Sequence, residues 1–414
     1  MTTANVDASL ISLFQHLGIN QVHLGVGQMV PADWLGLVAR HPERIASLTL
    51  VSPRLRPQLR AMASRLLVVT GDQGVPAERA RQLLATVPEA TLRTLADYTC
   101  LPWSDVAADR SAEIVTAMLD FLNRMGRGHS IAALALPEQE GEFAGISYRV
   151  RGAGPPLVLM PLDLAPSQWE PLIPQLSAHY CTITLGGPAL GLVSRLEGPG
   201  RSVYLGVVRT LLDAVRVQPG EKILEVGCGS GVVLRELARR TAGANPIIGI
   251  DMNAFLRREA MSLAAREGLA DRIIVQEGRA EALPLERNSV DIALSCTVME
   301  EGDADLMLTE LVRVTRPGGR VGAIVRAMDM PRWTNLPLSP ALRSKTDQPG
   351  FFGDVTAGGC ADASLYHRFH AAGLTELTCF PQLVAITPTF EPSRLADMEQ
   401  RLLTTLTAEE AAEW

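Results

Sequence analysis

The chain has 414 residues, more than one hydrophobic core usually holds, so its length implies two or three domains and excludes a single small one. Hydrophobic residues make up 47% and charged residues 20%, with 35 glycines and 27 prolines spread along the sequence, which excludes collagen-like, coiled-coil and wholly disordered chains. Of 38 basic residues only Lys222 and Lys345 are lysines, and 45 acids bring the net charge to −7, which disfavours a nucleic-acid partner because phosphate binding normally carries a basic surplus.

Apolar, β-branched runs bounded by glycine predict strands at Val22–Gly25, Leu48–Ser52, Leu66–Gly71, Leu157–Pro161, Thr182–Leu185, Ile223–Gly227, Ile247–Asp251, Ile292–Ser295 and Val321–Val325. Helical patterns separate them, and strands alternating with helices predict parallel sheets covered on both faces. The composition shifts at Arg124–Gly145, which reads as a linker, and at Gly186–Arg201, where five glycines and two prolines mark a boundary or a long loop. No fixed-period repeat or low-complexity tract stands out.

The six cysteines, Cys100, Cys181, Cys228, Cys296, Cys360 and Cys379, include no C-x-x-C pair or other metal-ligand spacing, so no metal site is expected and they read as free thiols in a reducing compartment. Met1 to Leu10 lacks the basic residues and long apolar stretch of a secretory signal, and no apolar run approaches the roughly 20 residues of a membrane span. A cytoplasmic protein is expected.

The most informative stretch is Glu221-Lys-Ile-Leu-Glu-Val-Gly-Cys-Gly-Ser-Gly-Val-Val-Leu, a buried strand that runs into Gly227, Gly229 and Gly231 and then an amphipathic helix. Glycines at such a turn let the backbone approach a ligand, and the free N–H groups of the helix start point at it. The next strand ends in Asp251, twenty residues after Gly231, where an acid can accept both hydroxyls of an adenosine ribose. The dinucleotide fingerprint is G-x-G-x-x-G, whereas this loop is G-x-G-x-G with Glu225 two residues before it. Gln276-Glu-Gly-Arg-Ala-Glu-Ala-Leu-Pro, Asn288-Ser-Val-Asp-Ile-Ala-Leu-Ser and Leu311-Val-Arg-Val-Thr-Arg-Pro-Gly-Gly-Arg-Val follow in order.

Together these segments resemble the class I S-adenosylmethionine-dependent methyltransferases over about residues 201–387, closest to the small-molecule branch of ubiquinone- and sterol-type enzymes. The resemblance implies a Rossmann-like seven-stranded sheet and S-adenosyl-L-methionine as cofactor. By that likeness Glu225 and the Gly227-Cys228-Gly229-Ser-Gly231 loop hold the methionine end, Asp251 the ribose, and Met252 and Ala280 flank the adenine. Tyr204, on the preceding helix, is a candidate contact for the cofactor's carboxylate, and Cys296 is a further cofactor-binding candidate. Arg279 stands where an acid often precedes the alanine of the adenine motif, and Glu300-Glu301 stands where a His-His pair often follows the fourth strand.

Methyl transfer is an in-line displacement, so positioning comes first and a general base is needed only for a nucleophile that carries a proton of high pKa. Glu300 and His367 are the candidate catalytic residues. Asp329, Trp333, Cys360, Asp362, Tyr366 and His370, in the insertion after the fifth strand, are candidates for the acceptor pocket. Tyr366, Phe369 and His370 share one helix face by spacing, which is equally a packing pattern. No N-P-P-Tyr-type tetrapeptide follows the fourth strand, which argues against amino methylation of DNA bases or protein glutamines and leaves carbon, oxygen and sulfur acceptors open.

Residues 1–125 resemble the second half of an α/β-hydrolase. Gly18-Ile-Asn-Gln-Val-His-Leu-Gly-Val-Gly-Gln-Met looks like its nucleophile-elbow strand, Arg65-Leu-Leu-Val-Val-Thr-Gly-Asp-Gln-Gly-Val-Pro like the strand that carries the acid, and Leu101-Pro-Trp like the stretch after the catalytic histidine. Residues 146–190 resemble the first half of the same fold. Second half before first half implies a circular permutation, with 126–145 as the joining linker and no cap insertion. The chemistry does not follow: the elbow needs G-x-S-x-G and this chain has Gly25-Val-Gly-Gln-Met, so the nucleophile position falls on Gly27 or Gln28. The histidine position falls on Cys100, Asp72 keeps the acid, and Ser52 has no histidine motif near it.

The expected architecture is thus two doubly wound α/β domains: a degenerate hydrolase-like domain without a cap over 1–190, a methyltransferase domain over 201–390, and a C-terminal helix over 391–414. The expected partner is a small, hydrophobic metabolite, with a homodimer left open. A non-catalytic cofactor sensor is the alternative reading, and a residual esterase a third.

Overall fold

In the computed structural model the described residues are 6–27, 34–51, 57–100, 104–126, 131–162, 164–187, 190, 193, 197, 201–330, 333–347, 355, 358–384, 402–403 and 405–414. The chain divides into two units, Met1–Pro199 and Gly200–Trp414.

The first unit is built on an eight-stranded sheet of β1 (Val22–Val26), β2 (Ile45–Val51), β3 (Leu66–Gly71), β4 (Thr91–Leu95), β5 (Gln139–Phe143), β6 (Ile146–Arg151), β7 (Pro156–Leu159) and β8 (Cys181–Gly186), in the order β4-β3-β2-β1-β7-β8-β6-β5. The strands from β4 to β8 are parallel, and β6 and β5 run antiparallel at one edge. Strands β1, β2, β3, β7 and β8 are buried along their whole length, as expected of parallel strands covered on both faces. Leu10, Leu13 and Phe14 of the helix Val6–His16 pack on one face with Leu24, Leu48 and Val68. Met118, Phe121 and Leu122 of the helix Ser111–Gly126 pack on the other with Val69, Leu157 and Trp169. The parallel pairing of β1 with β7 joins the two chain segments into one sheet. Strand β5 lies inside the stretch that composition reads as a linker, because its exposed, charged Gln-Glu-Gly-Glu-Phe run carries no apolar signal yet bonds to β6 along its whole length.

The second unit holds a five-stranded parallel sheet of β9 (Ile223–Val226), β10 (Ile247–Asp251), β11 (Ile273–Glu277), β12 (Val290–Cys296) and β13 (Thr315–Ile324), in the order β11-β10-β9-β12-β13. The chain builds outward from β9 to β11 and then crosses to start again at β12. That places a topological switch point between β9 and β12, where open parallel sheets leave a crevice at the strands' carboxyl ends. The expectation of seven strands is corrected to five among the described residues. Residues 374–384 form no strand: Pro381 removes a ladder donor, and the side chains of Phe380, Leu383 and Val384 are exposed rather than packed on a sheet face. Of the expected C-terminal helix, the helix Ala408–Glu413 is described, capped by Thr407 and Glu410 in a reciprocal capping box. Among the described residues no helix is long and apolar enough to cross a membrane.

Candidate functional site

Strand β9 delivers Glu225 to the switch point and then turns through Gly227, Gly229 and Gly231, all at positive φ. The N–H groups of Gly227 and Cys228 donate to the carbonyl of Ile250 at 2.7 and 3.1 Å, which ties the turn to β10. A Cβ on Gly227 would overlap the side chain of Val298, and one on Gly231 would sit 3.0 Å from Cβ of Ala260, whereas one on Gly229 would meet no atom of a described residue within 4 Å beyond its chain neighbours. Gly227 and Gly231 are therefore glycines for packing and conformation, and Gly229 faces open space. Gly231 ends the turn as the left-handed residue that starts the helix Val232–Arg240.

Asp251 closes β10 almost fully buried. Its Oδ2 accepts from the N–H of Gly229 and its Oδ1 from that of Asn253, both at 2.8 Å. One carboxylate thus fixes the glycine loop and the turn that carries Met252, which is exposed. Burial pushes the Asp251 carboxyl above its usual range, against the pull of those two donors.

Glu225 is fully enclosed, and its Oε2 accepts no hydrogen bond. Burial, with the Asp251 charge behind it, pushes its carboxyl well above the usual range. Around it stand Cys228, Cys296 and Tyr204, whose thiols and phenol burial likewise drives up. The Tyr204 hydroxyl is hydrogen-bonded to the Thr297 side chain. Thr297 itself is held at a positive φ just beyond β12, its N–H donating to Ile324 at 2.7 Å.

Glu300 is also fully buried. Its Oε1 accepts from the backbone N–H of Arg326 at 2.8 Å and from that residue's Nε at 3.3 Å, while Arg326 also reaches Glu301 at 3.4 Å. The loop after β12 is thereby latched to the end of β13. Arg279 and Ala280 follow β11; the Arg279 guanidinium is largely exposed and lies 3.7 Å from the carboxylate of Glu281.

The structure therefore brings Tyr204, Glu225, Cys228, Asp251, Cys296 and Glu300 into one buried neighbourhood. It does not bring His367 there: His367 is exposed on the helix Ser364–Ala371, in an edge contact with Tyr366 at 6.0 Å. Among the described residues no hydrogen bond, ion pair or ring contact links it to Glu300 or to the glycine loop. Tyr366 and His370 are exposed too, and the face of that helix that packs is Leu365 with Phe369. Cys360 sits in the core, its N–H donating to the carbonyl of Met299 at 2.8 Å. Asp329 accepts from the N–H of Ala363 at 3.0 Å, Asp362 from that of Ser364 at 2.9 Å, and Trp333 is 66% exposed.

Sequence reasoning missed two arginines. Arg235, fully buried, donates to the carbonyl of Ser230 at 2.6 Å inside the glycine loop and pairs with Glu267 at 3.2 Å. Arg257 donates to the carbonyls of Asp251 at 2.9 Å and Met252 at 3.0 Å. No motif signals them, because each acts through a turn that is formed only in the fold. Asn253 caps the helix Ala254–Arg266, its side-chain oxygen accepting from the N–H of Leu256 at 3.0 Å.

In the first unit Gly27 has no room for a side chain, since a Cβ there would land on the backbone carbonyl of Leu162. Cys100 accepts from the N–H of Gly71 at 3.3 Å, and Asp72 accepts from those of Asp97 and Tyr98 at 3.1 and 3.2 Å. The Asp97 donor, then that of Tyr98, holds the Asp72 carboxyl below its usual range. Gln28, Ser52 and Leu101-Pro-Trp lie outside the described residues. A buried His23 contacts Ser47 at 2.7 Å, but it is the second residue of β1, toward the end opposite Gly27, lies edge-on to Tyr180, and has its pKa lowered to about 4 by burial.

Residues 223–319 match the methyltransferase domain family. An uncharacterized 37.1 kDa protein in transposon TN4556 of Streptomyces fradiae is 31% identical over 194 residues, which is 45% of this chain and 52% of that protein. A ubiquinone/menaquinone biosynthesis C-methyltransferase of Hahella chejuensis is 27% identical over 32% of this chain and 58% of its own length. Among solved structures, a geranyl diphosphate C-methyltransferase from Streptomyces coelicolor, in complex with Mg2+, geranyl diphosphate and S-adenosyl-L-homocysteine, is 18% identical over 30% of this chain and 46% of its own, with a TM-score of 0.28. The chain thus spans about half the length of these relatives.

Proposed function

From the methyltransferase domain that the C-terminal half carries, whose methyl donor is S-adenosylmethionine, we propose that this protein methylates carbon, oxygen or sulfur of a small, hydrophobic metabolite. The observation that supports this most directly is the open side of Gly229 at the switch point, flanked by the buried carboxylates of Glu225 and Asp251. The residues fit the cofactor: an orphaned carboxylate oxygen suits a cationic group, and a glycine loop with nothing beyond it suits close backbone approach.

When bound, S-adenosylmethionine supplies an electrophilic methyl group. The glycine loop, with Cys228 and Tyr204, then holds the methionine end, Asp251 accepts from the ribose hydroxyls through its remaining lone pairs, and Met252, Arg279 and Ala280 border the adenine. Glu300 acts as a positioning residue, since its carboxylate is engaged with Arg326 and fixes the wall beside Cys296. Most of the rate then comes from holding donor and acceptor in line.

The first unit is read as a permuted hydrolase scaffold without hydrolytic chemistry, a reading supported by the β1–β7 junction and by the carbonyl that fills the nucleophile position. The second unit is read as the cofactor domain over about residues 201–390.

Labelled methyl from S-adenosylmethionine, offered with a fractionated extract of the source organism, is expected in organic-soluble small molecules. Label confined to protein or nucleic acid would refute the proposal, and cofactor binding with no transfer at all would favour a sensor. Asp251→Ala is expected to weaken cofactor binding by about 1–3 kcal/mol, the usual cost of unsatisfied partners. Asp251→Asn keeps one acceptor oxygen but turns an NH2 toward one of the two N–H donors, so it should recover little. Unchanged affinity in titration calorimetry of a folded Asp251→Ala protein would remove this residue from the site.

A further inference from the structure

The carboxyl of Glu225 is enclosed near the end of β9, and one of its oxygens has no hydrogen-bond partner among the described residues. An ionised carboxylate in that state is costly, because burial removes its hydration and the backbone N–H of Leu234, which bonds this carboxyl, replaces only part of it. The groups that face it worsen the cost. Asp251 on β10 is a second buried acid, while Cys228 in the loop, Cys296 on β12 and Tyr204 on the helix Arg201–Val215 are neutral groups that burial keeps neutral. Glu300 adds a further acid beyond Cys296 and Tyr204. The Arg235 guanidinium on the helix Val232–Arg240 pulls the other way, and it is already committed to the carbonyl of Ser230 and the carboxylate of Glu267.

We infer that Glu225 holds a proton in the ligand-free protein and releases it when the cationic methyl donor binds, which makes this carboxyl the residue that selects S-adenosylmethionine over its product. The inference rests on the methyltransferase reading. The donor carries a sulfonium charge that S-adenosylhomocysteine lacks, and both carry an ammonium and a carboxylate. Binding of the donor exchanges one proton, lost to the buffer, for a charge pair between the Glu225 carboxylate and the ligand. Once the methyl group has gone, the sulfur is a neutral thioether and Glu225 takes a proton back. The product then leaves a site that no longer attracts it by that charge.

The test is titration calorimetry of the full chain near neutral pH in two buffers of different ionisation heat. Proton release should be larger with S-adenosylmethionine than with S-adenosylhomocysteine. Glu225→Gln, which copies the protonated form in shape, should abolish the difference. It should also narrow the donor-over-product affinity ratio by about tenfold, the equivalent of one pKa unit of differential interaction. Thermal unfolding gives a second readout: the folded state binds this proton more tightly than the unfolded state, so ligand-free stability should fall as pH rises through the raised midpoint. Glu225→Gln should flatten that fall. Donor binding with equal or buffer-independent heats for both ligands would overturn the inference and leave the methyltransferase reading intact. Absence of donor binding by the unaltered protein would overturn both.

Discussion

Gly27→Ser is expected to cost about 3 kcal/mol or more and to create no esterase, although it restores the nucleophile that the hydrolase-like outline lacks. A Cβ at Gly27 coincides with the backbone carbonyl of Leu162, and an obstacle of that kind cannot rotate away as a side chain would. The segment after β7 must shift, and it is anchored: Met160 donates to Gly25 at 2.8 Å, and the indole of Trp169 donates to Met160 at 2.7 Å. Overpacking against such a wall lies at or beyond the upper end of its usual range. No base is available either, because the histidine position is Cys100, whose sulfur accepts the N–H of Gly71. Chemical denaturation and hydrolysis of an activated ester check both halves. Wild-type stability would mean that the carbonyl does not occupy this space, and turnover would revive the esterase reading.

That obstruction was not legible in the sequence, which marks the missing serine but not what fills its place. The difference is general here. Strands buried on both faces announce themselves as continuous apolar runs, so β1, β3, β7, β8, β9, β10 and β12 could be read close to their observed bounds, whereas β2 begins at Ile45 and β13, largely not buried, at Thr315, ahead of the apolar runs that predicted them. Strands β4, β5 and β11 carry polar residues on exposed faces and pass for loop, since an edge strand need not be apolar. The glycine loop was readable because positive φ and close approach restrict the residue type at each position. Contacts across the sheet leave no such mark: Glu300 meets Arg326, 26 residues later, only because β12 and β13 lie side by side. The acceptor-pocket candidates were chosen by residue type in an insertion, a criterion that does not separate the buried Cys360 from the exposed Tyr366, His367 and His370.

Gly227→Ala and Gly229→Ala should separate what the loop does for the fold from what it does for the ligand. At Gly227 the added methyl overlaps Val298 while the backbone sits at φ +71°, so strain and overpacking add to about 2–4 kcal/mol of lost stability. Val298→Ala in the same chain removes the overlap and leaves the backbone strain, so about half of the loss should return, and the coupling between the two positions reports their contact. At Gly229 an added Cβ meets no atom of a described residue within 4 Å beyond its chain neighbours, and the cost in the ligand-free protein is the φ +53° strain alone, about 1–2 kcal/mol. The open side of Gly229 is where the cofactor is proposed to lie, so its methyl should lower donor affinity by more than it lowers stability. Denaturation and titration calorimetry on the same preparations give both numbers. If Gly229→Ala bound S-adenosylmethionine with unchanged affinity, the donor would have to lie elsewhere, and the orphaned oxygen of Glu225 would need another cation.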